Sequence, residues 1–331
     1  MTRPATPGIA LALARYRTPA GVQLGLVTNE RIRPLSTSEL GAGSLNDFLS
    51  DPLNWQLLRE RAIVDSDEWI PLSSVALAAP VEPRQVVQAG ANYRQHVIDL
   101  VVAHREPDDP RTESEVRSQA ADMVDERART GTPYFFVGAP QSVVGDEDAL
   151  VLPGYSQKHD WELELAVVIG RRAFRVNRET AMEHVGGYTI TNDITTRDLV
   201  FLKEMKELGT DWYRSKNAPG FLPTGPFLVP PFAAPEPSNM RLELRLNGEL
   251  MQDASPADLL FDIPSLIAAA SATSPLLPGD LLLTGSPAGN GAGRGRLLRV
   301  GDVMEGTISG LGTQIVRCIA EPDGWEGATR P

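Results

Sequence analysis

The feature that most limits what this chain can fold into is the run Asp160-Trp161-Glu162-Leu163-Glu164, continued by apolar residues to Ile169 and followed later by Thr191-Asn192-Asp193. Dense Leu, Val and Ile between Trp161 and Ile169, stopped by Gly170, predict a strand. Side chains two apart on a strand share a face, so Glu162 and Glu164 aim two carboxylates at one place. Tyr188 to Thr191 reads as a second strand, which delivers Asp193 at its end. Carboxylates converging among apolar neighbours repel one another and lose hydration. A hard divalent cation resolves the conflict, and three carboxylates plus water suit Mg²⁺ or Mn²⁺. An E-x-E spacing alone also fits an exposed strand face with two solvated glutamates. The surroundings favour the metal reading: Arg197 and Asp198 follow Asp193 at helical spacing, Lys216 lies beyond, and His96 sits upstream in a Gly-rich, Asn-Tyr context.

The 331 residues, 42% of them hydrophobic, can bury a large core in one large domain or two unequal ones. A net charge of −12 disfavours nucleic acid and anionic membrane as partners. The single cysteine, Cys318, excludes an internal disulfide framework and a multi-cysteine metal site. No apolar run approaches the roughly 20 residues that span a bilayer. Pro4, Pro7 and Arg15 interrupt any signal-peptide core, so the expectation is a cytoplasmic protein.

Residues 1–80 read as a small N-terminal α/β domain. Short strands are expected at 9–16, 21–28 and 31–34, and helices at 45–49 and 54–64. A proline-flanked linker at Pro80–Pro83 leads into a catalytic domain over 81–322, opened by a strand at 85–89 and a helix at 93–103. A charged helical insert at about 104–132 follows; Thr112 and Glu115 have the form of a capping box for a helix over 113–130. That helix reads as a solvated surface element or as a lid over the site. Strands dominate from Pro133 onward, including 222–229 and 241–246, with Asn247-Gly248 as a hairpin turn. Strict β-α-β alternation is missing, which argues against Rossmann and TIM architectures and for a β-rich α+β fold. The glycine stretch from Gly285 to Gly295 lacks the Lys-Ser/Thr ending of a phosphate loop, and no clear helix follows it. It reads instead as a tight loop lining a small-molecule pocket, with Thr284 and backbone N–H groups facing a carboxylate.

Four histidines are available. His159 adjoins the metal strand, His184 falls in a short helix, and His104 sits in the charged insert. His96 is followed by Asp99 on one helix face. An Asp that accepts from one imidazole nitrogen raises the basicity of the other, which makes the pair a candidate base for water.

The ordered strings Gly90-Ala-Asn-Tyr-Arg-Gln-His96, Asp160-Trp-Glu-Leu-Glu164, Thr191-Asn-Asp-Ile-Thr-Thr-Arg-Asp198, Ser215-Lys216 with Pro223-Thr-Gly-Pro226, and Gly279-Asp-Leu-Leu-Leu-Thr-Gly285 resemble the fumarylacetoacetate hydrolase family over roughly residues 85–320. The resemblance is to its acylpyruvate hydrolase and 2-hydroxyhepta-2,4-diene-1,7-dioate isomerase members. It implies a mixed β-roll, a Mg²⁺ or Mn²⁺ site, a homodimer and a small 2-oxo acid substrate. By matched position, Glu162, Glu164 and Asp193 would hold the metal, and His96 would be the lid histidine with Asp99 where many members have Glu. Lys216 would polarise a substrate oxygen, and Arg197 would be an active-site arginine. Thr284 and Gly285 would hold the substrate carboxylate, with Tyr93 beside them. The expected reaction is metal-dependent C–C hydrolysis of an acylpyruvate-type 2,4-dioxo acid, with water activated by His96–Asp99. Val200 stands where many members carry an oxyanion-stabilising glutamine, which favours a lyase, isomerase or hydratase reaction at the same metal as the alternative. A catalytically silent binding protein is the third reading.

Overall fold

A computed structural model describes residues 9–322, apart from residues 41, 63–67, 104, 107 and 203. His104, Pro4, Pro7 and the end of the helix expected at 54–64 lie outside the described residues. The architecture is α+β, rich in strands and poor in helices, and is built on three main sheets. The first carries Ile70–Pro71, Arg31–Pro34, Gly21–Thr28, Ala12–Thr18 and Ala76–Ala78 in that order, antiparallel throughout. The second, central sheet has seven strands: Tyr134–Gly138, Val86–Gly90, Leu281–Leu283, Leu163–Ile169, Val185–Asn192, Leu222–Thr224 and Val143–Gly145. The third has five: Glu249–Ala254, Leu242–Leu246, Val303–Ile308, Gly312–Ala320 and Leu150–Leu152.

The middle strand, Leu163–Ile169, is buried at every position, and its two faces meet different partners. Leu163, Leu165, Val167 and Ile169 pack into one core with Leu242, Leu244, Met304 and Val316 of the third sheet. Ala166 and Val168 pack into a second core with Leu13, Leu26 and Phe48 of the N-terminal region and with Leu281 and Leu283 alongside. By strand parity, Glu162 and Glu164 lie on the same face as Ala166 and Val168. One sheet face is thus a hydrophobic floor beneath the N-terminal sheet at one end and a carboxylate surface at the other. Each large apolar side chain buried here contributes about 1.5–3 kcal/mol, which pins the strand that carries the carboxylates.

Most sequence-expected elements lie within a residue or two of where they were placed. Leu246 pairs with Glu249 across Asn247 and Gly248, both at positive φ, as the Asn-Gly turn requires. The strand expected over 222–229 is shorter: the ladder stops at Thr224, because Gly225 turns to positive φ and Pro226 has no N–H to donate. Leu228 and Val229 return only as single bridges, to Leu13 and Tyr188.

The charged helix Glu113–Thr130 begins with the expected capping box, worth about 1 kcal/mol. It is not simply solvated. Val116, Ala120 and Val124 form a buried stripe, and the last two pack on Ile98 of the Arg94–Ala103 helix, with Val97, Val101 and Leu260 around them. The insert therefore sits on the helix that carries His96.

Candidate metal centre and active site

The antiparallel ladder of Leu163–Ile169 with Val185–Asn192 sets the site geometry. Leu163 pairs with Asn192 and Glu164 with Thr191, and one step beyond, the Asp193 N–H donates to the Glu162 carbonyl at 2.8 Å. Carboxylate oxygens of Glu162, Glu164 and Asp193 come within 4.8 Å of one another, and all three residues are buried. Burial, reinforced by the charges of Asp193 and Glu162, pushes Glu164 well above the usual carboxylate range. Burial pushes Asp193 up too, to about 7, although Lys216 pulls against it. Glu162 behaves oppositely: Lys216 and Arg197 outweigh burial and hold it at about 2.

Lys216 closes a short helix, Trp212–Lys216, whose first turn is capped by Asp211. Its buried Nζ donates to Glu162 Oε2 at 2.9 Å, to Thr195 Oγ1 at 2.7 Å and to Asp193 Oδ2. Behind it stand Phe136 and Trp212, ring centroids 5.4 and 5.7 Å from Nζ and stacked on each other at 4.8 Å. Arg197 donates through Nε to Asp160 Oδ2 and lies 2.7 Å from Glu162 Oε1 through its terminal nitrogen. Four carboxylates, Asp160, Glu162, Glu164 and Asp193, thus face two cations. Glu164 accepts a hydrogen bond only from the neutral Gly285 N–H, at 2.7 Å. With all four ionised, this buried cluster of hard oxygen donors carries two more negative than positive charges, and a divalent cation would supply that deficit. The residues fit such an ion, with Glu162, Glu164 and Asp193 as the groups that would hold it.

The sequence reading assigned no role to the residues that support the cluster. Asp160 is fully buried and accepts from Arg197, from the Trp161 N–H, and from the Gly291 and Ala292 N–H groups at 2.7 and 2.9 Å. The glycine stretch contains one helical turn, Gly291–Arg294, and no described helix follows the stretch; the carboxylate its N–H groups face is the protein's own Asp160. Asn192 Oδ1 accepts from the Glu162 N–H at 2.8 Å. Asn290 Nδ2 reaches Glu162 Oε1 at 3.3 Å. With its amide nitrogen turned toward Asp193, Gln88 donates to both carboxylate oxygens, at 2.9 and 2.6 Å.

The residues expected to act on substrate are placed less uniformly. His96 lies within electrostatic reach of Glu162, Arg197, Asp99 and Asp160, and burial lowers its pKa, so the imidazole is neutral near pH 7. The expected His96–Asp99 pair is not formed. Asp99 Oδ1 accepts instead from Arg117 of the insert helix at 2.8 Å and from Gln95 at 2.9 Å, because a guanidinium outcompetes a neutral imidazole for a carboxylate. Tyr93 is fully buried, and its hydroxyl has no hydrogen-bond partner among the described residues. Burial and then the charge of Glu164 push its pKa up, which keeps it a proton donor beside the cluster. Thr284 and Gly285 do not present donors to a substrate carboxylate as expected. The Thr284 hydroxyl donates to the Leu165 carbonyl at 3.0 Å, and the Gly285 N–H is taken by Glu164. Gly285 also sits at φ +100, where an added Cβ would press on Asn92 and the Ala89 carbonyl. Its glycine conformation brings the N–H to Glu164. Val200 is buried and brings no polar side-chain atom to the site. His159 is a structural histidine, buried between Thr196 Oγ1 at 2.9 Å and the Pro153 carbonyl at 3.0 Å.

A family model described as the fumarylacetoacetate (FAA) hydrolase C-terminal domain matches residues 85–318. The chain belongs to the fumarylacetoacetate hydrolase family. Within it, the chain is 30% identical over 324 residues to the mitochondrial oxaloacetate tautomerase FAHD2A of Homo sapiens, covering 96% of this chain and 94% of that protein. It is 38% identical over 185 residues to the 2,4-didehydro-3-deoxy-L-rhamnonate hydrolase of a Sphingomonas strain, covering 55% of this chain and 63% of that protein. Among solved structures it resembles the 2-hydroxyhepta-2,4-diene-1,7-dioate isomerase of Mycobacterium marinum, with a TM-score of 0.68, 26% identity and coverage of 95% and 100%. Family members are enzymes that run tautomerase, isomerase or hydrolase reactions on small acids. They include mitochondrial and bacterial proteins, and no described helix of this chain is long and apolar enough to cross a membrane.

Proposed function

We propose that the chain is a divalent-metal-dependent enzyme that moves a proton on a 2-oxo acid, interconverting enol and keto forms, with Mg²⁺ or Mn²⁺ held by Glu162, Glu164 and Asp193. The observation that carries this reading is the charge deficit of the buried cluster, four carboxylates against two cations. A bound cation supplies Lewis acidity there, lowering the cost of an enolate on the 2-oxo acid. Lys216 and Arg197 hold Glu162 ionised and in place. The Tyr93 hydroxyl, buried and unpartnered, offers a hydrogen bond to the substrate's carboxylate end. His96, neutral and facing the cluster, takes the proton from C3 of the 2-oxo acid and returns it to carbon or to the enol oxygen.

Two features favour proton transfer over water addition. Asp99 is committed to Arg117, so it does not orient His96 toward water. Val200 leaves no side-chain amide for a second oxyanion, and one missing donor of that kind costs about 10²–10³ in rate. Hydrolysis of a 2,4-dioxo acid to pyruvate and a carboxylic acid is the second reading, favoured by the likeness to the rhamnonate-derivative hydrolase. Both readings call for stabilisation of an enolate, that of the intact acid in the first and that of the released pyruvate in the second.

The test is turnover of oxaloacetate and a small acylpyruvate panel with Mg²⁺ and Mn²⁺, products identified by NMR. Metal-dependent enol–keto interconversion of oxaloacetate, with carbon skeletons intact, is the expected result. Pyruvate plus a carboxylic acid from the acylpyruvates as the faster reaction would install the hydrolytic reading.

A further inference from the structure

The structure assigns Gln88 a role in the metal centre: we propose that it is the positioning residue that orients Asp193 for the cation, holding the carboxylate both before and after the ion is bound. The inference rests on the metal reading above. Gln88 sits in the middle of the Val86–Gly90 strand, opposite Phe136 on one side and Leu283 on the other. Leu283 pairs in turn with Ala166, two residues from Glu164, so the Gln88 side chain leaves the sheet on the carboxylate face. It is 1% exposed.

The Gln88 amide nitrogen lies 2.9 and 2.6 Å from Asp193 Oδ1 and Oδ2, so an N–H donor is shared between both oxygens of the carboxylate. The neighbouring strand leaves the room for this. A Cβ at Gly138 would collide with the Gln88 amide, so glycine there keeps the side chain in its channel.

Asp193 needs such a partner because it stands one residue beyond the last ladder pair of its strand, where the sheet no longer fixes its side chain. Its other side-chain partner is Lys216. Lys216 has the same sign of charge as an incoming cation and binds Glu162 as well, so cation and ammonium compete for the same oxygens. Gln88 is neutral. It neither repels the cation nor alters the charge deficit that attracts it, so its grip on Asp193 is compatible with both states. Partners of this kind, one bond behind a metal ligand, typically change metal affinity by about 10–100-fold when removed.

The experiment is a calorimetric Mn²⁺ titration of the full-length wild type, Gln88→Met and Gln314→Met, with melting temperatures recorded in chelator. Gln314 is an equally buried glutamine that donates to the carbonyls of Ile190 and Pro223 and touches no carboxylate of the cluster. The expected result is a Kd for Mn²⁺ raised about 10–100-fold in Gln88→Met and unchanged in Gln314→Met, whatever the two melting temperatures. Equal affinity of Gln88→Met and wild type, or equal weakening by both substitutions, overturns the inference while leaving the metal site standing. Wild type that does not bind Mn²⁺ overturns the metal reading and the inference together. Should Gln88→Met not fold, Gln88→Asn, one methylene short of Asp193, is read by the same criteria.

Discussion

Two regions meet at the candidate site and are built by opposite means. The floor, Leu163–Ile169 with Val185–Asn192 and the following Asp193, is buried on both faces, and its geometry follows from strand pairing. The cover, the Arg94–Ala103 helix with the Glu113–Thr130 insert, is held by a three-residue core and by ion pairs such as Arg94–Asp125 and Arg117–Asp99 that are 39–50% exposed. Exposed pairs contribute about 0–1 kcal/mol each, whereas each large apolar side chain in the floor contributes more than that. The floor fixes the positions of three carboxylates. The cover brings His96 near them and is joined by a smaller apolar core and exposed ion pairs.

That contrast can be broken most severely at the floor. Glu164→Ala is expected to abolish Mn²⁺ binding in a titration and all metal-dependent turnover with it, a larger effect than the roughly 10–100-fold expected of an outer partner. Metal-dependent activity that survives the substitution would remove Glu164 from the ligand set. His96→Ala comes next: kcat should fall by about 10²–10⁴ with Kd for Mn²⁺ unchanged. A matching loss of affinity would make His96 a ligand and join cover to floor.

The third test uses pH. Folding raises Glu164 and Asp193 above their usual values, so the metal-free protein is favoured by their protonated forms. The contribution of these two groups to stability should be fully present below their ordinary carboxylate values and be lost as pH rises to about 7, where Asp193 ionises, opposite in sign to the contribution of Glu162. Cation binding needs both carboxylates ionised. Mn²⁺ affinity should therefore increase from pH 6 to 8, by up to about tenfold per unit for each proton released, and calorimetry in buffers of different ionisation enthalpy should detect that release. A pH-independent Kd would contradict the raised values.

The smallest effect is expected in the cover. Asp99→Asn and Arg117→Ala should each shift the denaturant midpoint only slightly and change kcat far less than His96→Ala does. If Asp99→Asn instead matched His96→Ala, the two would act as one catalytic unit in solution, and water activation would return to the leading place.

What the sequence disclosed follows the same division. The carboxylate trio was legible because strand parity and one antiparallel ladder suffice to bring Glu162, Glu164 and Asp193 together. The capping box at Thr112 and the Asn247-Gly248 turn were legible because their partners are a few residues away. Arg197 and Lys216 stood out only as neighbours of the carboxylates in the chain and took their roles from the family resemblance, through which alone Tyr93 entered. Gln88 escaped notice, and Asp160, though part of the opening run, was given no role, because their partners Asp193 and the Gly291 turn lie more than a hundred residues off in the chain. The His96–Asp99 pair failed for a related reason. Local spacing allows it, but Arg117, from the next helix, takes the carboxylate. Thr284 and Gly285 have the right chemistry and the wrong direction, because the hydroxyl closes on Leu165 and the N–H on Glu164.

The measurement that bears most directly on the central claim is anomalous diffraction from crystals of the wild-type protein equilibrated with Mn²⁺. The account requires a single manganese peak enclosed by the carboxylates of Glu162, Glu164 and Asp193, and no peak at that place in Glu164→Ala. A wild-type map with no manganese among the three carboxylates, at a concentration that supports turnover, would contradict it.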